Sequence, residues 1–278
     1  MTRSATVEQT SPATSSGTDP AAPPRGFAAE TWTLFRRNFR EGVRSPVIAF
    51  LFPVLFPLFA ETLVASSYQR VATLPGFPVH PYTAYMAPGM LLLAGMMGSG
   101  YSATALVLDV QTGFLDRMKL LNIRPNAILA SRLLFDAVRV LPAAVVVLVV
   151  SLLLGARVDG VGGALGVLLI CSVWSVGYGG LFYIVALATW NPQAPLAMSP
   201  LFILLMFTSP APVPAYLLPN WLVTVAKWNP FTYVVEGTRA VMSGHAGRPL
   251  LMAVAVLVGA IVITQAVVIP MFRRAIQE

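Results

Sequence analysis

Few side chains in this sequence can do chemistry, and their placement says more than their number. Of 278 residues, 11 are acidic and two are histidine. His80 and His245 lie far apart, neither belongs to a His-Glu-x-x-His metal pattern, and no Gly-x-Ser-x-Gly nucleophile turn occurs. The lone Cys171 sits inside an apolar run and reads as a packed thiol, which excludes a disulfide framework and a Cys-rich metal site. What remains is a handful of charges in apolar surroundings. Asp136 and Arg139 stand at i,i+3, as do Glu236 and Arg239, a spacing that lets two side chains pair on one helix turn. Glu61 has no partner in its own segment. Such groups suit ion pairs, substrate contacts or gates better than bond-breaking.

The elements holding these charges are long and apolar. From Gly160 to Ala226 no Lys, Arg, Asp, Glu or His occurs. As one straight helix that stretch would measure roughly 100 Å, about three times a ~30 Å hydrocarbon core, so it must cross more than once. Asn191-Pro192-Gln193-Ala194-Pro195 offers the turn, because its two prolines cannot continue a helix. Composition agrees: 56% apolar, 10% charged, mean hydropathy +0.74. The fold class expected is all-α, a polytopic membrane protein with six transmembrane helices near 47–66, 83–108, 133–154, 163–190, 196–212 and 250–271. Residues 1–26, rich in Ser, Thr, Pro and Ala and lacking an apolar h-region, read as a disordered cytoplasmic tail.

The basic residues set sidedness. Arg3, Arg25, Arg36, Arg37, Arg40, Arg44, Arg117, Lys119, Arg124, Arg132, Arg273 and Arg274 fall on one side, against Arg70, Arg157, Lys227, Arg239 and Arg248 on the other. Twelve against five places both termini in the cytoplasm. Residues 27–44 mix Trp32, Leu34, Phe35, Phe39 and Val43 with four basic residues, the composition of an amphipathic helix lying on the inner leaflet. In the second loop, Phe114, Leu115, Met118, Leu121 and Ile123 can form one apolar face beside Asp116, Arg117 and Lys119. Gly113 frees the chain to turn off the preceding helix and Pro125 ends the short one. A cytoplasmic helix with an exposed apolar face needs a partner to cover it.

Here the chain resembles a known family, the type-2 ABC transporter permeases. Tyr85-Met-Ala-Pro-Gly89 looks like their Y-x-x-P-G segment at the start of the second span. Gly113-Phe-Leu-Asp-Arg117 looks like their G-[TS]-[FL]-[ED]-R-L coupling motif, and Asn229-Pro-Phe-Thr-Tyr-Val-Val-Glu-Gly-Thr-Arg239 resembles the N-P segment before their last span. Met118 replaces the family's usual Leu, and Arg124 stands where Val or Thr precedes Pro125. The likeness covers nearly the whole chain from Phe27, and in style it is similar to the daunorubicin-resistance efflux permeases of actinobacteria.

The resemblance implies a transmembrane domain over 27–278 that is a transport subunit and not itself an enzyme. It also implies a second permease copy or homologue and a pair of cytoplasmic ATPase subunits that bind ATP and Mg, this chain having no phosphate-binding Gly-x-x-x-x-Gly-Lys-[Ser/Thr] loop and no cofactor of its own. Gly113, Phe114, Leu115, Asp116, Arg117, Met118, Leu121, Arg124 and Pro125 are the expected ATPase-coupling residues. The implied activity is export of an amphipathic drug or lipid-like substrate across the plasma membrane of a bacterium. A lipid-linked glycan exporter, an ATP-independent carrier and a membrane-embedded enzyme stand as alternatives. No nucleic-acid partner is expected.

In the last outer loop, about 213–249, Pro212, Pro214 and Pro219 break the chain while Trp221 and Trp228 suit the headgroup region. Re-entrant helices are expected there, as in the family. Residues expected on the path or gate are Glu61, Met97, Tyr101, Asp136, Arg139, Trp221, Glu236 and Arg239. Gly95, Gly98, Gly100, Gly177, Gly179 and Gly180 read as sites of close helix approach.

Overall fold

The computed structural model describes residues 26–73, 77–120, 123–245 and 247–277. Nearly all of the 1–26 tail and Leu121 lie outside the described residues. Among the described residues all regular structure is helical. Helix α1 spans Phe27–Arg44, the range expected of the amphipathic segment, and buries Leu34, Phe35, Asn38 and Gly42 on one side while Arg36, Arg40 and Arg44 stay exposed. A π-turn over Val47–Leu51 leads into α2, Phe52–Tyr68.

The second span is two helices end to end, α3 (Tyr82–Met97) and α4 (Ser99–Gln111), joined at Gly98. In its most apolar 18-residue window this span is 72% buried, against 22% for that of the last span, so it is the spine of the bundle. The short α5, Phe114–Leu120, follows a left-handed turn at Gly113 (φ 67°), a conformation that glycine adopts without steric cost. Then come α6 (Pro125–Leu153), α7 (Gly160–Thr189), α8 (Gln193–Ala197), α9 (Leu201–Phe207), α10 (Asn220–Trp228), α11 (Pro230–Met242) and α12 (Arg248–Gln277). Stripes of large apolar side chains, Phe52, Leu55, Phe59 and Leu63 on α2 and Leu251, Val254, Val258 and Val262 on α12, face outward, as befits a bilayer and not water.

Among the described residues, five helices are long and apolar enough to cross a membrane: Ala49–Tyr68, Tyr82–Gln111, Pro125–Leu153, Gly160–Thr189 and Arg248–Ala275. The expected fifth span, 196–212, departs from the sequence reading. It is not one continuous helix but the short α8 and α9, separated by a turn at Met198–Pro200, with the chain unwinding after Phe207. The reason is local: Pro195, Pro200, Pro210 and Pro212 each lack the N–H that a helix interior uses.

Helices α7 and α12 meet closely. A Cβ at Gly180 would overlap the Thr264 side chain, and one at Gly177 would sit 3.2 Å from Ala260 Cβ. Thr264 is β-branched on a long helix and has little room to give. We therefore expect Gly180→Leu to destabilise the folded protein by about 1–3 kcal/mol, an overpacking penalty. Thermal unfolding in detergent should show a lowered midpoint; an unchanged one would mean that α7 and α12 do not approach here.

Candidate functional site

Two polar clusters stand out, one at the bundle end that carries α1 and α5, the other in its middle. At the end, Asp109 closes α4 with one carboxylate and two guanidiniums. Arg37 of α1 donates to both its oxygens, at 2.9 and 2.7 Å, and Arg132 of α6 donates to Oδ2. Arg132 also donates to the carbonyls of Ser102 (3.1 Å) and Ala105 (3.4 Å). The Arg37 guanidinium lies 3.6 Å over the Phe114 ring, so the same side chain holds α5. Burial alone would lower the Arg37 pKa, but the bonds and charge of Asp109 outweigh it and hold the group above its ordinary value. Asn38 Nδ2 donates to Ser131 Oγ at 3.2 Å, and the Arg124 backbone N–H donates to Glu30 Oε2 at 3.2 Å. Thus α1 is bound side-on to the turn between the second and third spans.

Of the expected coupling residues, Gly113 makes the turn, Arg117 and Arg124 are exposed, and Pro125 opens α6. The expectation of a wholly free apolar face needs correction. Phe114, Met118 and Ile123 pack against the protein's own core, because Arg37 and the adjacent spans cover that side. Among the described side chains of α5, Leu120 is left outside, 87% exposed and not singled out by the sequence reading. Leu115 and Asp116 belong to α5, and their side chains lie outside the described set.

In mid-bundle, Asp136 is fully buried and accepts from Ser102 Oγ and from Tyr183 Oη at 2.8 Å. Arg139 Nε lies 3.7 Å from Asp136 Oδ1, so the i,i+3 pair read from the sequence forms. Arg139 Nη1 donates to the Ala49 carbonyl in the π-turn at 3.3 Å, and its guanidinium occupies the place a side chain at Gly98 would take. Ser175 Oγ donates to the Asp136 carbonyl at 3.2 Å. One cluster therefore joins the first four spans. Glu61 is also fully buried, and Ser151 Oγ of α6 donates to its Oε1 at 2.7 Å while Oε2 has no partner among the described residues. Met97 and Tyr101 are half-buried beside the kink.

At the opposite end the Glu236–Arg239 pair does not form. Arg239 lies 4.0 Å over the Tyr85 ring and donates to the Tyr85 carbonyl at 3.1 Å, leaving Glu236 exposed. A desolvated ring face and carbonyl hold a guanidinium better than a solvated carboxylate does. The Tyr82 and Tyr85 hydroxyls donate to the carbonyls of Pro212 (2.6 Å) and Pro210 (2.8 Å), and Gly89 lets Ala211 approach. Asn229 caps α11 by accepting from the Phe231 N–H at 2.9 Å and donates to the Leu205 carbonyl at 2.7 Å. Trp221 is 66% exposed. The motif residues Tyr85, Gly89 and Asn229 thus work as fasteners for the broken segment between Phe207 and Pro230.

The Asp109 cluster makes an asymmetric prediction. Asp109→Ala strands Arg132, whose side chain is 4% exposed, and should cost about 3–5 kcal/mol. Arg37→Gln removes a partner that is 33% exposed and should cost about 1 kcal/mol or less. Unfolding of the two variants in detergent tests this; equal midpoints would show that Arg132 does not depend on Asp109.

Residues 29–243 match the ABC-2 type transporter family. The chain is 27% identical over 199 residues, 71% of its length and 68% of the relative's, to a protein of Streptomyces coeruleorubidus named daunorubicin resistance ABC transporter permease protein DrrB1. It is 24% identical over 221 residues, 78% of its length and 75% of the relative's, to ycf38 of Cyanophora paradoxa, named as a transport permease.

Proposed function

The chain belongs to the ABC-2 type transporter family, whose members are transport permease subunits and not themselves enzymes, and on that footing we propose that it is the membrane subunit of an ATP-driven exporter. Two copies of a cytoplasmic ATPase bind ATP and Mg and dock on α5, and a second permease copy or homologue completes the path. The observation that carries this reading is the fastening of α5. Phe114 is held under Arg37, Arg37 grips Asp109, and Asp109 grips Arg132, so a displacement of α5 is passed to α1, α4 and α6 together. Arg117 and Leu120 are exposed, where an ATPase groove would receive them.

In this arrangement α1 lies along the inner leaflet of a bacterial plasma membrane, and both termini are cytoplasmic. The α8–α9 segment and the unwound residues to 212 cross as a broken span, giving six crossings, and α10 and α11 re-enter the outer leaflet. Proline-interrupted backbone is tolerated at membrane depth when side chains satisfy it, as Tyr82, Tyr85 and Asn229 do here. The cargo is an amphipathic drug or lipid-like molecule. The few fixed charges on the bundle interior are already paired or bonded, which suits an apolar cargo better than an ion, and the Streptomyces relative named for daunorubicin resistance points the same way.

The test is affinity purification of the tagged chain from its native membrane, with mass spectrometry and an ATPase assay. A stoichiometric ATPase subunit should accompany the native chain, and its recovery should fall severalfold with Asp116→Ala, Arg117→Ala or Leu120→Ser. A clean preparation lacking any ATPase would sink the proposal and favour an ATP-independent carrier.

A further inference from the structure

At the end of the bundle opposite α5 lies a cavity of about 310 Å³ that neither the coupling helix nor the mid-bundle cluster uses. Its polar lining comes from three separate stretches: His80 before α3, Arg157 and Asp159 between α6 and α7, and Arg239 with Ser243 at the end of α11. The Asp159 backbone N–H donates to the Met242 carbonyl at 2.9 Å, and Thr83 Oγ1 donates to the Leu154 carbonyl at 2.8 Å, so these stretches are fastened to one another. The remaining walls, Val79, Ala84, Pro88, Val158 and Met242, are apolar.

The charges in it are incompletely used. Arg239 spends Nη2 on the Tyr85 carbonyl, while its Nε is buried with no hydrogen-bond partner among the described residues. Arg157 is exposed and forms no ion pair among the described residues, although Asp159 is two positions away. A buried guanidinium donor without an acceptor is costly, and the ligand that removes that cost is an oxyanion. Two guanidiniums against one carboxylate leave one net positive charge for it, the complement of a phosphodiester and not of a dianion. Asp159 on the rim is placed to accept from a donor carried by the same ligand. The apolar walls suit a molecule that carries acyl chains beside its charged group.

We propose that this cavity binds the headgroup of a phospholipid, its phosphodiester held by Arg157 and Arg239 and its head-alcohol ammonium or hydroxyl by Asp159. The lipid would then brace α11 against α3 and the α6–α7 turn. Neither an ATPase nor any cargo is needed for it, so the site stands or falls independently of the exporter reading.

The test uses the purified full chain in detergent, following its unfolding midpoint while dihexanoyl phosphatidylethanolamine is titrated. Dihexanoylglycerol, which lacks the phosphate, and inorganic phosphate serve as comparisons. The lipid should raise the midpoint and the other two should not. Arg157→Gln should shift the half-effective lipid concentration upward about tenfold, the loss of one charge-assisted contact, with the lipid-free midpoint unchanged because Arg157 holds nothing else. Arg239→Lys keeps the charge but loses the fork, and should weaken the response also; if that variant does not fold, the Arg157 result stands alone. Three outcomes would overturn the proposal: an equal response to dihexanoylglycerol, a matching response to inorganic phosphate alone, or an Arg157→Gln response identical to the native one. A response lost with Arg40→Gln but kept with Arg157→Gln would place the lipid on α1 and overturn it equally.

Discussion

A carboxylate that cannot reach water organises the middle of this bundle. Asp136 sits where an unpaired charge would be prohibitive, and the chain answers with hydroxyl donors from two other helices, Ser102 of α4 and Tyr183 of α7, and with the Arg139 charge 3.7 Å away on its own helix. Each donor fixes the distance and rotation of the helix that supplies it. Arg139 in turn must be accommodated, and it finds room only because residue 98 has no side chain and because the π-turn before α2 offers the Ala49 carbonyl. The break of the second span at Gly98 and the irregular start of the first at Ala49 thus both meet the same buried ion pair.

The end of the bundle that carries α1 obeys a softer version of the same rule. Asp109 also needs cations, but Arg37 is partly solvated, so this cluster joins elements without locking them as the Asp136 cluster does. That difference suits a mechanical role. A helix such as α5 transmits motion best when firmly attached to a neighbour that can itself move, and α1, attached along one face and exposed along the other, is such a neighbour. Under the proposed coupling to an ATPase, the mid-bundle cluster would be the fixed point about which the ends shift.

At the far end the chain is broken by prolines, and broken backbone has carbonyls to satisfy. Tyrosine hydroxyls from α3 and the Asn229 amide take them up, and in doing so seat α11 and its arginine against α3. The short helices here depend on side-chain bonds from the long ones, which makes this end the natural place for an opening or for a lipid to lodge.

Much of this was written in the order of residues. The uncharged run from Gly160 to Ala226 dictates a membrane protein, periodicity and composition mark out 27–44, and the three-residue spacing of Asp136 and Arg139 announces a pair that does form. These are local facts, set by helical geometry and by the chain's own neighbours. What sequence order could not supply is which helix faces which. Asp109 finds Arg37 at a separation of 72 positions, and Arg239 takes Tyr85, 154 positions away, over the Glu236 beside it. Phe114 and Met118 turn inward because the surface next to them happens to be their own core. Helical periodicity states that a face exists; the packing of other helices against it decides whether that face meets water, lipid or protein, and the energy of a charge depends on that choice more than on its position in the chain.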